Sequence, residues 1–313
     1  MDGRNLFHLG EFETQRALGT RSEASSRARE MFRASLTRAQ AAFLGRVSFL
    51  AVAARDAADR PWATLVFGKP GFAFTTAPDA LAVTTHRDPR DPAYRTLSSS
   101  GDVGLLAIDP RSGRRLRVNG LARATEVGFD VAITQVFPNC PRFVSLRELW
   151  ASPSLAPGVH AVTDLHDPAI AWIASARSFF LATGYGACDA GAPYGMDVSH
   201  RGGERGFVRI EGPRDLSFPD YTGNDLFSSI GNLVKDPMAG LVFVSLETGD
   251  LVQLSGTAAI EWRAASAPSD GATRRIRIHI DNFVCRPGVI ARVRMKGASM
   301  KSTNYAKKFV TER

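Results

Sequence analysis

The sequence predicts a mainly β protein with a few α-helices, built as two small barrels packed together. Three observations carry that prediction. The chain has 313 residues, which at roughly 100–200 residues per domain favours two domains. Short apolar or alternating segments bounded by turn residues outnumber helical ones, and closing such strands into a barrel removes exposed edges. The third observation is an internal repeat.

Residues 101–122 read GDVGLLAIDPRSGRRLRVNGLA and residues 237–258 read PMAGLVFVSLETGDLVQLSGTA. Aligned without a gap, Gly104 falls on Gly240, Leu105 on Leu241, Gly113 on Gly249, and Gly120–Ala122 on Gly256–Ala258. Each copy reads as an apolar strand, a turn ending in Gly, an alternating strand, and a Gly where a bulge is expected. The lead-in repeats in outline: Phe49–Arg55 and Phe179–Thr183 are apolar strands, followed by Arg60–Phe67 and Asp197–Val208. Gly120 and Gly256 should therefore occupy equivalent positions about a pseudo-two-fold axis.

In chain order, residues 1–45 form an N-terminal helical segment. It carries a helix over Glu23–Ser35 and a second over Arg38–Leu44, with Thr37 as N-cap. The first β-unit spans 46–138, with a short helix near Asp91–Ser99. Residues 139–176 are a connection, turn-rich over Asn139–Gly158, with a helix over Asp164–Ala176. The second β-unit spans 177–294 and includes a helix over Asn224–Lys235. That helix stops before Asp236-Pro237, because the residue preceding Pro disfavours helical backbone. Residues 295–313 are a polar, basic tail.

Composition excludes several classes. Hydrophobic residues at 44% and charged residues at 22% exclude a mainly disordered chain. No apolar run approaches the ~18 residues of a membrane span. The opening MDGRNLFHLGEFETQR lacks the apolar core of a secretory signal, so a cytoplasmic protein is expected. Cys140, Cys188 and Cys285 form no CxxC pair, which argues against a disulfide scaffold or zinc ribbon. The net charge is +8. The basic stretch Arg292, Arg294, Lys296, Lys301, Lys307, Lys308 has only Tyr305 interleaved and no accompanying DNA-binding motif, so nucleic acid is not the expected partner. An anionic small ligand would use the same charge.

There is no GxGxxG after a strand, no Walker loop, no GxSxG elbow and no HExxH. The His residues make no close pair at metal spacing, so no metal is expected. Cys140 reads as a small structural residue, and no catalytic side chain is assigned. Chemistry, where present, would belong to an organic cofactor. One cluster fits such a group: DVSHRGGERGFVRI (Asp197–Ile210), then SFPDYTGNDLFSSIGN (Ser217–Asn232). Amides at the helix start, with the hydroxyls of Thr222, Ser228 and Ser229, form a phosphate cradle. Arg201 on the neighbouring strand would add charge-assisted bonds. A hairpin followed by an N-capped helix, with no ligand, is the competing reading, and the residues alone leave both open.

The order strand, GFVR, F-x-D-Y-T-G-N, helix, D-P-x-x-x-L-x-F, turn, strand, Gly resembles the pyridoxamine 5'-phosphate oxidase-like, FMN-binding split-barrel family. FHLGEFETQRALG (Phe7–Gly19), RPWATLVFG (Arg60–Gly68), VGLLAID (Val103–Asp109), RRLRVNG (Arg114–Gly120) and NCPRF (Asn139–Phe143) resemble its tandem bacterial branch, in which one polypeptide joins two units. The resemblance covers nearly the whole chain apart from the tail. It implies two tandem split β-barrels forming an intramolecular pseudo-dimer, either monomeric or further paired as a homodimer, with FMN between the barrels.

The implied FMN contacts are Asp197, Ser199, Arg201, Tyr221, Thr222, Asn224, Ser228 and Ser229 of the second unit, with Arg115 and Arg117 of the first, and Trp62 and Thr64 from RPWATLVFG. The family's Tyr-Thr contact falls on Tyr221 and Thr222, and its Arg-Lys phosphate pair falls on Ser228 and Ser229. Its Gln before the bulge Gly falls on Arg115 in one copy and Leu251 in the other. Two pseudo-equivalent sites follow, and one FMN is expected at the pairing of the second unit's cradle with Arg115 and Arg117. The reverse pairing, HRDPRDP (His86–Pro92) with Leu251 and Gln253, is poorer in hydroxyls. Arg115 and Arg117 share a strand face, with Leu116 and Val118 pointing into the barrel. Replacing either Arg is expected to weaken FMN and leave the flavin-free melting temperature nearly unchanged.

The resemblance implies an FMN-dependent oxidoreductase acting on a small molecule, with NAD(P)H as a candidate electron donor. The oxidase's C-terminal Trp and Arg pattern has no counterpart after Trp262, so oxidation of pyridoxamine phosphate itself is not expected. A non-catalytic flavin carrier is the alternative. A haem-binding split barrel is less favoured, because no His follows His279.

Overall fold

The computed structural model describes residues 6–86, 88–97, 100–110, 112–139, 161–186, 195–245, 247–262 and 272–290. Cys140, Cys188, most of the 139–158 connection and the 295–313 tail lie outside the described residues.

The N-terminal segment holds three helices, α1 (Leu9–Ala17), α2 (Arg21–Met31) and α3 (Arg38–Leu44). Helix α3 has the expected capping box, with Thr37 Oγ1 accepting from Gln40 N and Gln40 Oε1 accepting from Thr37 N. Helix α1 is absent from the sequence reading because its N-cap is His8, outside the usual Ser, Thr, Asp and Asn set. His8 Nδ1 accepts from Gly10 N, and Glu11 closes the box by accepting from His8 N. Helix α2 ends earlier than expected, since Phe32 turns extended and Arg33 bridges to Val136.

The first unit contains β1 (Phe49–Arg55), β2 (Pro61–Phe67), β3 (Ala73–Ala77), β4 (Ala80–Thr84), α4 (Pro92–Thr96), β5 (Ser100–Ile108), β6 (Arg115–Thr125) and β7 (Gly128–Asn139). The second contains β8 (Ser178–Tyr185), β9 (Gly195–Gly202), β10 (Arg209–Ile210), β11 (Asp215–Tyr221), α5 (Ser228–Lys235), β12 (Met238–Val244), β13 (Leu251–Trp262) and β14 (Ala272–Arg286). The expected helix over Asp164–Ala176 is corrected to a single 3-10 turn, Ala171–Ser175. Asp164 and Asp167 instead accept from the backbone N–H of His166 and Ala169, local bonds that compete with a helix. Helix α5 starts later than Asn224, because Asp225 and Phe227 take left-handed backbone with φ of 58° and 60°.

Each unit is one seven-stranded antiparallel sheet, ordered β2-β1-β5-β6-β7-β4-β3 and β10-β11-β14-β13-β12-β8-β9. Read in reverse, the second sheet repeats the first strand for strand. The bulges repeat too, between Asn119 and Gly120 in β6 and between Ser255 and Gly256 in β13. A Cβ at Gly120 would stand 2.1 Å from Ala132 O, and one at Gly256 1.9 Å from His279 O. The two glycines thus hold equivalent positions, as the repeat predicts. The protein is mainly β, two tandem split barrels.

Strand alternation separates three clusters of the core, and a fourth joins the N-terminal helices to Phe137 and Leu226. Leu50 and Val52 of β1 join the first barrel's interior with Leu116, Val118 and Phe129. Leu181, Phe218, Leu241 and Ile276 fill the second. The other face of β1, Phe49, Ala51 and Ala53, packs between the units against Phe180, Val198 and Val242. This two-sided burial explains the unbroken apolar run of β1. The units meet closely at the repeated glycines. A Cβ on Gly104 would lie 2.6 Å from Met196 O, and one on Gly240 would lie 2.5 Å from Pro61 O. No helix among the described residues is long and apolar enough to cross a membrane.

Candidate functional site

A cleft of about 160 Å³ opens where β6 of the first unit meets β9, β11 and the start of α5. It brings together nine of the residues expected from sequence: Arg115, Arg117, Ser199, Arg201, Tyr221, Thr222, Asn224, Ser228 and Ser229. Arg115 and Arg117 share the cleft face, while Leu116 and Val118 enter the first barrel's core.

Asp197 lies beneath the cleft as the anchor of Arg117. Arg117 Nη1 donates to Asp197 Oδ1 at 3.0 Å and Nη2 donates to Ser199 Oγ at 2.6 Å. Ser199 Oγ stands 2.8 Å from Ser229 Oγ, so a polar line runs from the first unit to the helix start of the second. Asn119 and Asn232 amides also donate to Asp197, at 2.8 and 3.3 Å. The Arg117 guanidinium sits 5.1 Å above the Phe137 ring.

Sequence reasoning missed His200, Asp220, Phe227 and Arg274, which also line the cleft. Asp220 accepts from Arg201 and, at 2.8 Å, from Arg274 Nε. The alternation of Asp197, Ser199 and Arg201 hides His200 on the opposite strand face in the sequence. Burial, with Arg115 and Arg201 adjacent, pushes the His200 pKa down to about 3, so the ring is neutral. Four guanidinium groups face the cleft against the carboxylates of Asp220 and Asp225, and Asp225 is already paired with Arg27 of α2 at 2.6 Å.

The N-terminal helices complete the site. Gln15 Nε2 donates to Leu226 O at 3.1 Å and Arg27 Nη1 to Asn224 O at 2.9 Å, holding the left-handed loop ahead of α5. Glu11 of α1 is buried beside Ser228, with which it hydrogen-bonds. Burial, then the nearby Asp197 charge, raises its pKa to about 8. The signal that could have found it is the H-x-x-E spacing of His8 and Glu11.

The structure does not bring Trp62 and Thr64 to this cleft. Trp62 is buried with its Nε1 donating to Asp56 at 2.9 Å, and Thr64 Oγ1 donates to Asp91. They stand at the pseudo-equivalent position across the interface, because β2 there corresponds to β9 here.

The cleft suits an oxyanion. Arg117 Nε, Arg201 Nε and His200 Nε2 are buried without a hydrogen-bond partner. Helix α5 has no side-chain cap, since its N-cap is Phe227, which leaves first-turn amides for a ligand. These cations and amides are chemically compatible with a phosphate such as that of FMN, and Phe137, Tyr221 and Phe227 also line the cleft. Among the described residues no group of three His, Cys, Asp or Glu is placed to hold a metal ion.

No protein-family model matches this sequence, and no curated protein matches it. Solved structures do. The chain is similar to a putative pyridoxamine 5'-phosphate oxidase. That protein, from Lactobacillus delbrueckii, shows 15% identity and a TM-score of 0.29 over 39% of this chain and 93% of its own. HupZ of Group A Streptococcus shows 12% identity and a TM-score of 0.29 over 40% of this chain and 99% of its own. An F420 reductase shows 14% identity and a TM-score of 0.24, over 37% and 90%.

Proposed function

We propose that this chain is an FMN-dependent oxidoreductase acting on a small molecule in the cytoplasm, with NADH or NADPH as electron donor. The observation that carries the reading is the buried line Arg117–Ser199–Ser229, which ends at the uncapped start of α5. In this reading Arg117, Ser199, Ser229 and the α5 amides hold the 5'-phosphate, with Tyr221 and Thr222 beside it. When bound, FMN supplies hydride or electron transfer at its isoalloxazine ring. Asp197 keeps Arg117 oriented and Asp220 keeps Arg201 and Arg274 in place. Neutral His200 adds no charge to the site, and Glu11 holds a proton behind Ser228 at neutral pH. The inter-unit core of Phe49, Phe180 and Val198 keeps water from the underside of the interface.

The test is spectroscopic. The purified protein should be yellow, release FMN on denaturation, and be reduced by NADH or NADPH in stopped-flow. A colourless protein that takes up neither FMN nor another flavin would overturn the reading. The carrier alternative has one favouring observation: Asp220 is taken up by hydrogen bonds from two Arg side chains, and burial holds the His200 pKa far below its ordinary value, so the imidazole does not switch charge near pH 7. Flavin bound but inert to both nucleotides would select it.

A further inference from the structure

The pseudo-two-fold gives the cleft a counterpart, and the counterpart is already filled. Gln253 aligns with Arg117 in the gapless repeat. Thr64 corresponds to Ser199, because Gly240 abuts Trp62 as Gly104 abuts Asp197. Asp91 and Phe227 each lie thirteen residues before those paired glycines. Where one copy has Phe227 with no side-chain cap, the other has a carboxylate.

That carboxylate is enclosed by donors. Arg286 Nη1 reaches Asp91 Oδ2 at 2.6 Å, and Thr64 Oγ1 donates to the same oxygen. Gln253 Nε2 donates to Asp91 Oδ1 at 3.0 Å, and the backbone N–H of Ala93 and Tyr94 follow at 3.0 and 3.3 Å. Thr64, Gln253 and Arg286 are each at most 4% exposed. Arg286 Nη2 also bonds Asp88 at 2.7 Å. The cation has changed strands, from β6 in the open cleft to β14 here, so the site is built independently and is not a collapsed copy.

We propose that Thr64, Gln253 and Arg286 form a second oxyanion site whose ligand is the chain's own Asp91 carboxylate. A tethered group at high effective concentration excludes external anions from this position. External anions are therefore shut out of this pseudo-equivalent position, and removing Asp91 opens it to a small carboxylate. Asp91 fills this position whatever the open cleft binds.

Asp91→Ala tests it, with formate as the probe. The variant should melt below the wild type, and sodium formate should raise its melting temperature in proportion to the logarithm of concentration, as linkage requires of a bound ligand. Sodium chloride at equal ionic strength should not. The wild type sets the baseline for any formate taken by the cleft. The double variant D91A/R286M, with the cleft intact, should return to that baseline. If D91A is recovered only as unfolded chain, refolding yield becomes the readout, expected to rise with formate and not with chloride. A D91A response equal to the wild type's, or equal yields in the two salts, would overturn the proposal.

Discussion

Arg117 of the first unit and Asp197 of the second form a buried ion pair, 3.0 Å apart, directly beneath the cleft. The pair explains why the cleft needs both halves of the chain: β6 supplies the cation and β9 its counter-charge. It also revises the expectation that Arg117 can be removed without cost to the flavin-free protein. Deleting one partner of a buried pair leaves the other charge uncompensated, typically ~3–5 kcal/mol of stability.

Arg117→Ala should therefore lower the melting temperature of the flavin-free protein, and R117M/D197N should recover much of the loss. Thermal unfolding of the three proteins without flavin checks this. Equal stability of R117A and wild type would mean that the pair contributes nothing.

Ser229→Ala is the cleaner probe of the ligand, since Ser229 carries no charge. A hydrogen bond to a charged group is worth ~1.5–3 kcal/mol, so FMN affinity should fall about 10–100-fold. Riboflavin, without the phosphate, should bind the wild type weakly and be indifferent to the substitution. Titration of both flavins into both proteins measures it, and equal wild-type affinities for FMN and riboflavin would move the phosphate elsewhere.

Gly104→Val should loosen the interface between the units. Its Cβ would lie 2.6 Å from Met196 O, a backbone atom that cannot swing aside. Overpacking of this kind costs ~1–3 kcal/mol. Gly101→Ala, with nothing within 4 Å of its Cβ, is the control. Denaturant midpoints should fall for the first and hold for the second.

Glu11 gives stability a pH dependence of known sign. Its folded pKa, about 8, lies above the ordinary value of 4.5, so the folded protein binds the extra proton between those limits. The contribution is full below pH 4.5 and is lost as pH rises through about 8. Glu11→Gln should remove that decline, so the stability of E11Q relative to wild type should grow from pH 5 to pH 9. Parallel stability curves would show that Glu11 titrates normally.

Much of the cleft was legible because its residues sit on one strand face or one turn. Arg115 and Arg117 alternate with core-facing Leu116 and Val118, and Ser199 and Arg201 obey the same period of two. What the period hid was on the wrong parity or far away in sequence. His200 falls between two cleft-facing positions, Arg274 comes from β14, and Glu11 rests on a helix with an unusual cap. Trp62 and Thr64 were drawn to the site by a strand motif that occurs once in each unit, and pairing across the interface decides which occurrence faces which cleft.

By itself the sequence determined the architecture: the gapless repeat, with Gly104 on Gly240 and Gly120 on Gly256, requires two like units, since side-chain alternation and bulge glycines are local properties of a strand. Only the tertiary structure decided that the two pseudo-equivalent positions differ. Whether a carboxylate such as Asp91 fills a site, or an aromatic such as Phe227 leaves it open, depends on donors distant in the chain, above all Arg286, 195 residues away. Electrostatic partnership at that separation is created by folding, and no spacing within the chain records it.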